Sequence, residues 1–222
     1  KYLLQNGASR LKIGYGASEF GGGIVITADT GPYEANSTGE ILPGVIGMVI
    51  DPDTGEELTY GEDGELCFHS PTMMLGYYKN PEATAEVLDK DGWYHSGDLA
   101  TMSADGHVFI RGRIKNMLLG ANGQNVYPEE IEDKLNSMAM VNESLILQKG
   151  DKLVALVYPD FEEAKTMGFN ETDIMEVMEQ NRKELNAQLP PFCSISAVKI
   201  HNEEFAKTPK KSIKRYLYKD VL

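Results

Sequence analysis

The stretch DGWYHSGDLATMSADGHVFIRGRIKNMLLGANGQNVYPEEIE, Asp91 to Glu132, decides how the chain divides. Its first half reads as strands, because the apolar runs around Leu99 and in HVFIRG flank the turn pair Asp105-Gly106. Its second half changes period: Pro128-Glu129-Glu130 opens a helix, and Ile131, Leu135 and the following Met138 share one face. The seam is therefore expected near Gly112, giving domains 1–112 and 113–222. The same stretch carries more glycine and charge than a core requires. Asp98 follows a tight Ser96-Gly97 turn, Arg113 stands beside Lys115, and Gly120 and Gly123 bracket a loop. These polar groups call for a ligand.

Upstream, from Gly39 to Ile110, short apolar runs (GVIGMVI, GELCFHS) alternate with turn pairs such as Asp63-Gly64, the pattern of an antiparallel sheet or small barrel. One helix interrupts it after Asn80-Pro81-Glu82, which supply an N-cap, a first-turn proline and an acid. Before that, GYGASEFGGG is too rich in glycine for a long helix and is expected to be a loop near a ligand. Downstream, SLILQKGDKLVALVYPD reads as two strands joined at Gly150-Asp151. Glu171 to Leu189 reads as an amphipathic helix burying Ile174, Met178, Leu185 and Leu189, and AVKIH as a last strand. The expected fold class is α+β: a β-rich part with a distorted, barrel-like sheet, then a small α/β domain.

The 222 residues are 41% hydrophobic, enough to fill a core. No run approaches the roughly 18 apolar residues of a membrane span, and Lys1-Tyr2-Leu3-Leu4 lacks a secretory signal pattern, so no transmembrane segment and a cytoplasmic setting are expected. A net charge of −13 opposes general nucleic-acid binding. The charge is uneven: from Pro190 onward seven Lys or Arg face three Asp or Glu, a local +4, which leaves −17 on the first 189 residues. That basic tail is either a solvated face or a surface for an anion. Cys67 and Cys193 are too far apart for a CxxC pair and read as buried thiols. The four histidines show no metal-ligand spacing.

A carboxylate held on a turn can accept hydrogen bonds from both hydroxyls of a ribose, which is one reading of Asp98; a turn cap is the other. Arg113 offers a fork of donors for the same sugar or a phosphate, or forms a surface ion pair. Within Tyr15-Gly16-Ala17-Ser18-Glu19, Tyr15 can stack on a base, Ser18 can bond a phosphate and Glu19 can hold Mg2+. Together they suggest a nucleotide site.

These motifs resemble those of the adenylate-forming enzymes: acyl-CoA synthetases, luciferases and the adenylation domains of peptide synthetases. YGASE is similar to their Tyr-Gly-x-Thr-Glu motif, WYHSGDLA to Tyr-x-Thr-Gly-Asp, and GRIKNMLLGANGQNVYPEEIE to Gly-Arg-x-Lys-Asp...Gly-x-x-Val-x-Pro-x-Glu-Ile-Glu. GELCFHSPTMMLGYYKNPEATAE also resembles their Gly-Glu-Leu...Gly-Tyr-x-x-x-Pro-x-x-Thr stretch, and the order holds from Tyr15 to the C-terminus. The resemblance implies ATP, Mg2+ and coenzyme A as partners of a carboxylic acid substrate: acyl adenylate forms, then the acyl group passes to a thiol. By motif position Tyr15 packs on adenine beside Gly16, Ser18 contacts phosphate, Glu19 binds Mg2+, and Asp98 and Arg113 hold the ribose. Lys115 falls at the hinge of a mobile C-terminal domain, and Gly123 on the path of the pantetheine arm.

Two departures matter. The chain begins just before the Tyr-Gly motif, without the Ser/Thr/Gly-rich phosphate loop, so it is expected to be a C-terminal fragment of a longer enzyme, inactive alone. The family's Pro-Lys-Thr-x-x-Gly-Lys-Ile segment aligns with FAKTPKKSIKRYLY so that Ser212 occupies the catalytic lysine position. Lys211 is the expected substitute, with Lys210 and Lys214 behind it; otherwise the cluster is a solvated face. SPTMMLGYYKNPEAT and the basic ending resemble fatty-acyl enzymes more than amino-acid-activating ones. The expectation is a fatty acid CoA ligase. The alternatives are an aryl or small-acid CoA ligase, a carrier-protein adenylation enzyme, or a non-catalytic nucleotide-binding homologue.

Overall fold

The computed structural model describes residues 12–28, 34–120, 122–209, 211–219 and 221; Lys210 lies outside them. The chain separates into two compact units, with the division between Lys115 and Asn116, three residues beyond the seam expected from periodicity. The shift has a local cause. Arg113 still pairs with Asp98 in the first sheet, and a single 3-10 turn, Ile114–Asn116, follows it.

The first unit contains β1 (Gly14–Ala17), β2 (Gly22–Ile26), β3 (Gly39–Ile41), β4 (Ile46–Ile50), β5 (Asp63–His69), α1 (Pro81–Val87), β6 (Tyr94–Met102) and β7 (His107–Arg113). The strands form one sheet in the order β1-β2-β3-β7-β6-β5-β4, and every pairing is antiparallel. Among the described residues β1 and β4 are edges, so the sheet is open and not barrel-like. The GYGASEFGGG segment, expected as a loop, is the β1–β2 hairpin with a 3-10 turn at Ser18–Phe20. Glycine permits the pairing: a Cβ on Gly16 would lie 2.2 Å from the Gly22 carbonyl oxygen. Phe20, Ile24, Val25, Leu66, Phe68, Tyr94 and Val108 are buried in the core of this unit. Asn80 caps α1 by accepting from the Ala83 amide at 3.1 Å, with Pro81 in the first turn, where its missing N–H costs nothing.

In the second unit a two-residue ladder joins β8 (Leu118–Leu119) to β9 (Asn125–Val126). Then follow α2 (Pro128–Leu135), β10 (Val141–Lys149), β11 (Lys152–Pro159), α3 (Phe161–Met167), α4 (Glu171–Asn186) and β12 (Ile195–Ile200). β10 and β11 pair antiparallel, β11 and β12 parallel. Alternation along β10 and β11 gives this sheet two covered faces. Ile146, Leu153, Ala155 and Val157 pack with Ile131 and Leu135 of α2 and Ile174, Met178 and Leu185 of α4. Leu145, Leu147 and Leu156 pack instead with Phe205 and Tyr218 of the C-terminal segment. Asn170 caps α4 through a reciprocal box with Asp173.

Candidate functional site

In the first unit, Asp98 sits where the ladder is irregular on both sides. Toward β5, Ser96, Gly97 and Asp98 lie between the pairs Cys67↔His95 and Glu65↔Leu99, opposite Leu66 alone. Toward β7, the register shifts again between Leu99 and Ala100. Extra residues in a strand form a bulge that re-aims a side chain, and Gly97 at φ 68° takes the left-handed conformation this one needs. The sequence places a Ser-Gly pair there, and Asp98 is the product.

Asp98 is 8% exposed, and both its oxygens are engaged. Tyr15 donates its hydroxyl to Oδ2 at 2.6 Å, and Arg113 Nε lies 2.8 Å from Oδ1. Arg113 also donates from Nη1 to the Ser96 carbonyl at 2.9 Å, and the Asp98 amide donates to Ser96 Oγ at 3.0 Å. Burial, then the Asp98 charge, drives the Tyr15 phenol well above its usual range, so it remains a donor. The Tyr15 ring stacks against Phe68 with centroids 5.9 Å apart and lies 6.4 Å from Phe20. The structure thus brings Tyr15, Asp98 and Arg113, distant in sequence, to one point.

Gly16 is exposed at the β1 bulge, and Ser18 is exposed at the start of the following turn. Glu19 is half-buried and accepts the Tyr77 hydroxyl at 2.9 Å, while its carbonyl accepts the Met74 amide at 2.6 Å. One fixed carboxylate suits Mg2+, which takes one or two carboxylates and completes its shell with phosphates and water. Lys115 is exposed and ends the first unit.

In the second unit, Gly123 is exposed at φ 78° on the loop between β8 and β9. Lys211 and Ser212 are exposed on a hairpin-like loop closed by a Lys207↔Ile213 bridge. Lys211 has φ 63°, the left-handed region that favours glycine, and its amide donates to the Thr208 carbonyl at 2.8 Å. Both roots of the loop are pinned by ion pairs. Lys207 Nζ lies 2.5 Å from Glu143 and from Glu204. Arg215 makes a two-pronged contact with Glu132 and approaches Glu129 at 3.5 Å. Burial pushes the Glu132 carboxyl up to about 7 even though Arg215 and the Ile146 amide, 2.6 Å away, oppose the shift. Lys211 and Lys214 have no ion-pair partner among the described residues.

Residue reasoning did not single out Glu65, His95, Tyr77 or the Arg215–Glu132 pair. Glu65 carried a signal: a carboxylate inside the apolar run GELCF has to find a buried partner. Glu65, Cys67 and His95 also place three ligand-type atoms within 4.8 Å of one another, a grouping that sequence spacing hides because β5 and β6 are far apart in the chain. Burial, together with Glu65 and Asp89, pushes the Cys67 thiol up to about 12, which keeps it protonated. No helix among the described residues is long and apolar enough to cross a membrane.

The pattern has relatives. The AMP-binding enzyme description matches residues 2–78, and the AMP-binding enzyme C-terminal domain matches residues 115–220. A protein named "Probable 4-coumarate--CoA ligase 2" of Dictyostelium discoideum is 41% identical over 143 residues, 64% of this chain and 26% of that protein. The long-chain-fatty-acid–CoA ligase of Salmonella typhimurium is also 41% identical over 143 residues, 64% of this chain and 24% of that protein. The chain therefore spans about a quarter of the length of these curated relatives. The crystal structure of ATP-bound MatB from Rhodopseudomonas palustris superposes with a TM-score of 0.74 at 28% identity, over 95% of this chain and 41% of that one. Two family descriptions in the right order, on an Asp–Arg–Tyr cluster built from distant strands, place the chain in the AMP-binding, adenylate-forming enzyme family.

Proposed function

We propose that the chain serves an ATP-dependent acid–thiol ligase that activates a fatty acid as its acyl adenylate and passes the acyl group to coenzyme A. The observation that carries this reading is the Asp98 cluster: a nearly buried carboxylate aimed by two ladder irregularities and paired with Arg113. A 1,2-diol matches it, since an ionised carboxylate is acceptor-only and its two oxygens suit the two hydroxyls of a ribose. Tyr15, backed by Phe68, offers its ring to the base, with Gly16 leaving room next to it. Ser18 contacts phosphate. Glu19 holds Mg2+, which would neutralise charge on the phosphates.

In the first half-reaction a carboxylate oxygen of the acid attacks the α-phosphorus, and the bond to the bridging oxygen breaks to release pyrophosphate. Negative charge gathers on the phosphoryl oxygens, and a cation held there stabilises it. Lys211 supplies that charge from the tip of its loop, in place of the lysine that Ser212 replaces. In the second half-reaction a thiol attacks the acyl carbonyl and AMP leaves. Lys115, at the end of the first unit, is the pivot between the two half-reactions, and Gly123 lines the path of the thiol's pantetheine arm. The setting under this reading is the cytoplasm.

The fatty acid assignment draws on the Salmonella relative and on the SPTMMLGYYKNPEAT stretch. A relative named for an aromatic acid matches equally well, so the acid is the point to test. The test is pyrophosphate exchange by protein expressed from its complete natural reading frame, across a panel of fatty and aromatic acids. Exchange led by a fatty acid supports the proposal; a lead by an aromatic acid replaces it with an aryl-CoA ligase. No exchange with any acid favours a non-catalytic nucleotide-binding homologue.

A further inference from the structure

We infer that Glu65, held by His95, is a positioning residue that fixes the Asp98 turn and thereby sets recognition of the nucleotide sugar; the inference rests on reading Asp98 as the ribose ligand. The Gly97 amide sits inside the β6 bulge, where the ladder register jumps, and it donates to Glu65 Oε1 at 3.0 Å. The other oxygen, Oε2, lies 3.0 Å from His95 Nδ1, which donates to it in the tautomer that carries its proton there. One half-buried carboxylate thus bridges the two residues that flank Ser96, one and three positions before Asp98.

The geometry makes the brace specific. Gly97 has φ 68°, and a bulge with a left-handed glycine keeps its shape only while its amide is satisfied. Arg113 secures the same turn from the opposite strand through the Ser96 carbonyl. Arg113 also contacts Asp98 and is half exposed, so its hold is shared with ligand and solvent. Glu65 acts on Asp98 through Gly97, whose amide it accepts and whose carbonyl carbon bonds to the Asp98 nitrogen. The same carboxylate explains why a charged residue sits in the otherwise buried run Leu66-Cys67-Phe68.

The test uses 15N-labelled protein expressed from its complete natural reading frame, as wild type, Glu65→Ala, Glu65→Gln and Asp98→Ala. Amide hydrogen exchange is read at Gly97 and Asp98, with Val49 and Val108 as sheet controls, and AMP is titrated against 2′,3′-dideoxy-AMP. In Glu65→Ala the Gly97 and Asp98 amides exchange at least about tenfold faster with the controls unchanged, as expected for loss of a charge-assisted hydrogen bond. The preference for AMP over the dideoxy nucleotide falls by a similar factor. Glu65→Gln keeps an acceptor for the Gly97 amide and recovers most of both effects. Unchanged Gly97 exchange in Glu65→Ala overturns the brace, whatever the nucleotide data. If wild type shows no preference for AMP and Asp98→Ala changes nothing, the ribose reading fails, and Gly97 exchange alone then decides whether Glu65 braces the turn. If Glu65→Ala perturbs the controls as well, Glu65→Gln decides: protection of Gly97 retained relative to the controls supports the brace, and its selective loss contradicts it.

Discussion

The Asp98 turn and the Lys211 loop are both polar, and they are held in opposite ways. Around Asp98 the sheet does the holding: Tyr15, Arg113 and Ser96 engage the carboxylate or its amide, and Glu65 accepts the amide of the preceding Gly97. Around Lys211 only the roots are held, by Lys207 on Glu143 and Glu204 and by Arg215 on Glu132, while the lysine at the tip is exposed in a left-handed conformation. Under the proposed function the first region suits recognition of one sugar, which benefits from preorganisation, and the second suits a cation needed in only one half-reaction.

The contrast can be broken most severely at the root of the loop. Arg215→Ala leaves Glu132 buried without its cation and should destabilise the second unit by about 3 kcal/mol. The effect depends on pH. Glu132 has a folded value raised to about 7 against an ordinary 4.5, so its favourable contribution is full below 4.5 and is lost as pH rises through 7. Without Arg215 the carboxyl rises further. Thermal unfolding should show a small Arg215→Ala deficit at pH 5 and a large one at pH 8; equal deficits would remove Glu132 from the account.

Asp98→Ala attacks the other region. It strands the Tyr15 hydroxyl and the Arg113 fork, for a loss of about 2 kcal/mol in the first unit. Urea unfolding measures the loss, and a change within error would mean that the cluster is ligand-shaped without contributing to the fold. Asn170→Ala removes the α4 cap and should cost about 1 kcal/mol, confined to the second unit. A first-unit tryptophan signal from Trp93 that shifts equally would show the two units unfolding together.

The order of elements was legible because apolar period and turn residues carry it: α1 begins at Asn80-Pro81, β10 and β11 meet at Gly150-Asp151, and α4 starts at Glu171. The β1–β2 hairpin was hidden because its glycines read as loop, whereas Gly16 is required by the close approach of Gly22. Asp98 and Arg113 could be named from local spacing. Their environment could not: Tyr15 reaches Asp98 across 83 residues and Glu65 reaches Gly97 across 32, and both depend on register shifts that leave no trace in composition. The Arg215–Glu132 pair, also 83 residues apart, escaped for the same reason.

The smallest structural effect tests the central claim most directly. Lys211→Gly relieves a left-handed strain of about 1–2 kcal/mol against glycine's entropic cost of 0.5–1, so stability should rise by roughly 0.5 kcal/mol. The same substitution removes the charge at the tip. Pyrophosphate exchange by protein from the complete reading frame should therefore collapse in a variant that is more stable than wild type, and return when Ser212→Lys is added. Undiminished exchange in Lys211→Gly would contradict the account, because the cation serving the first half-reaction would then lie elsewhere.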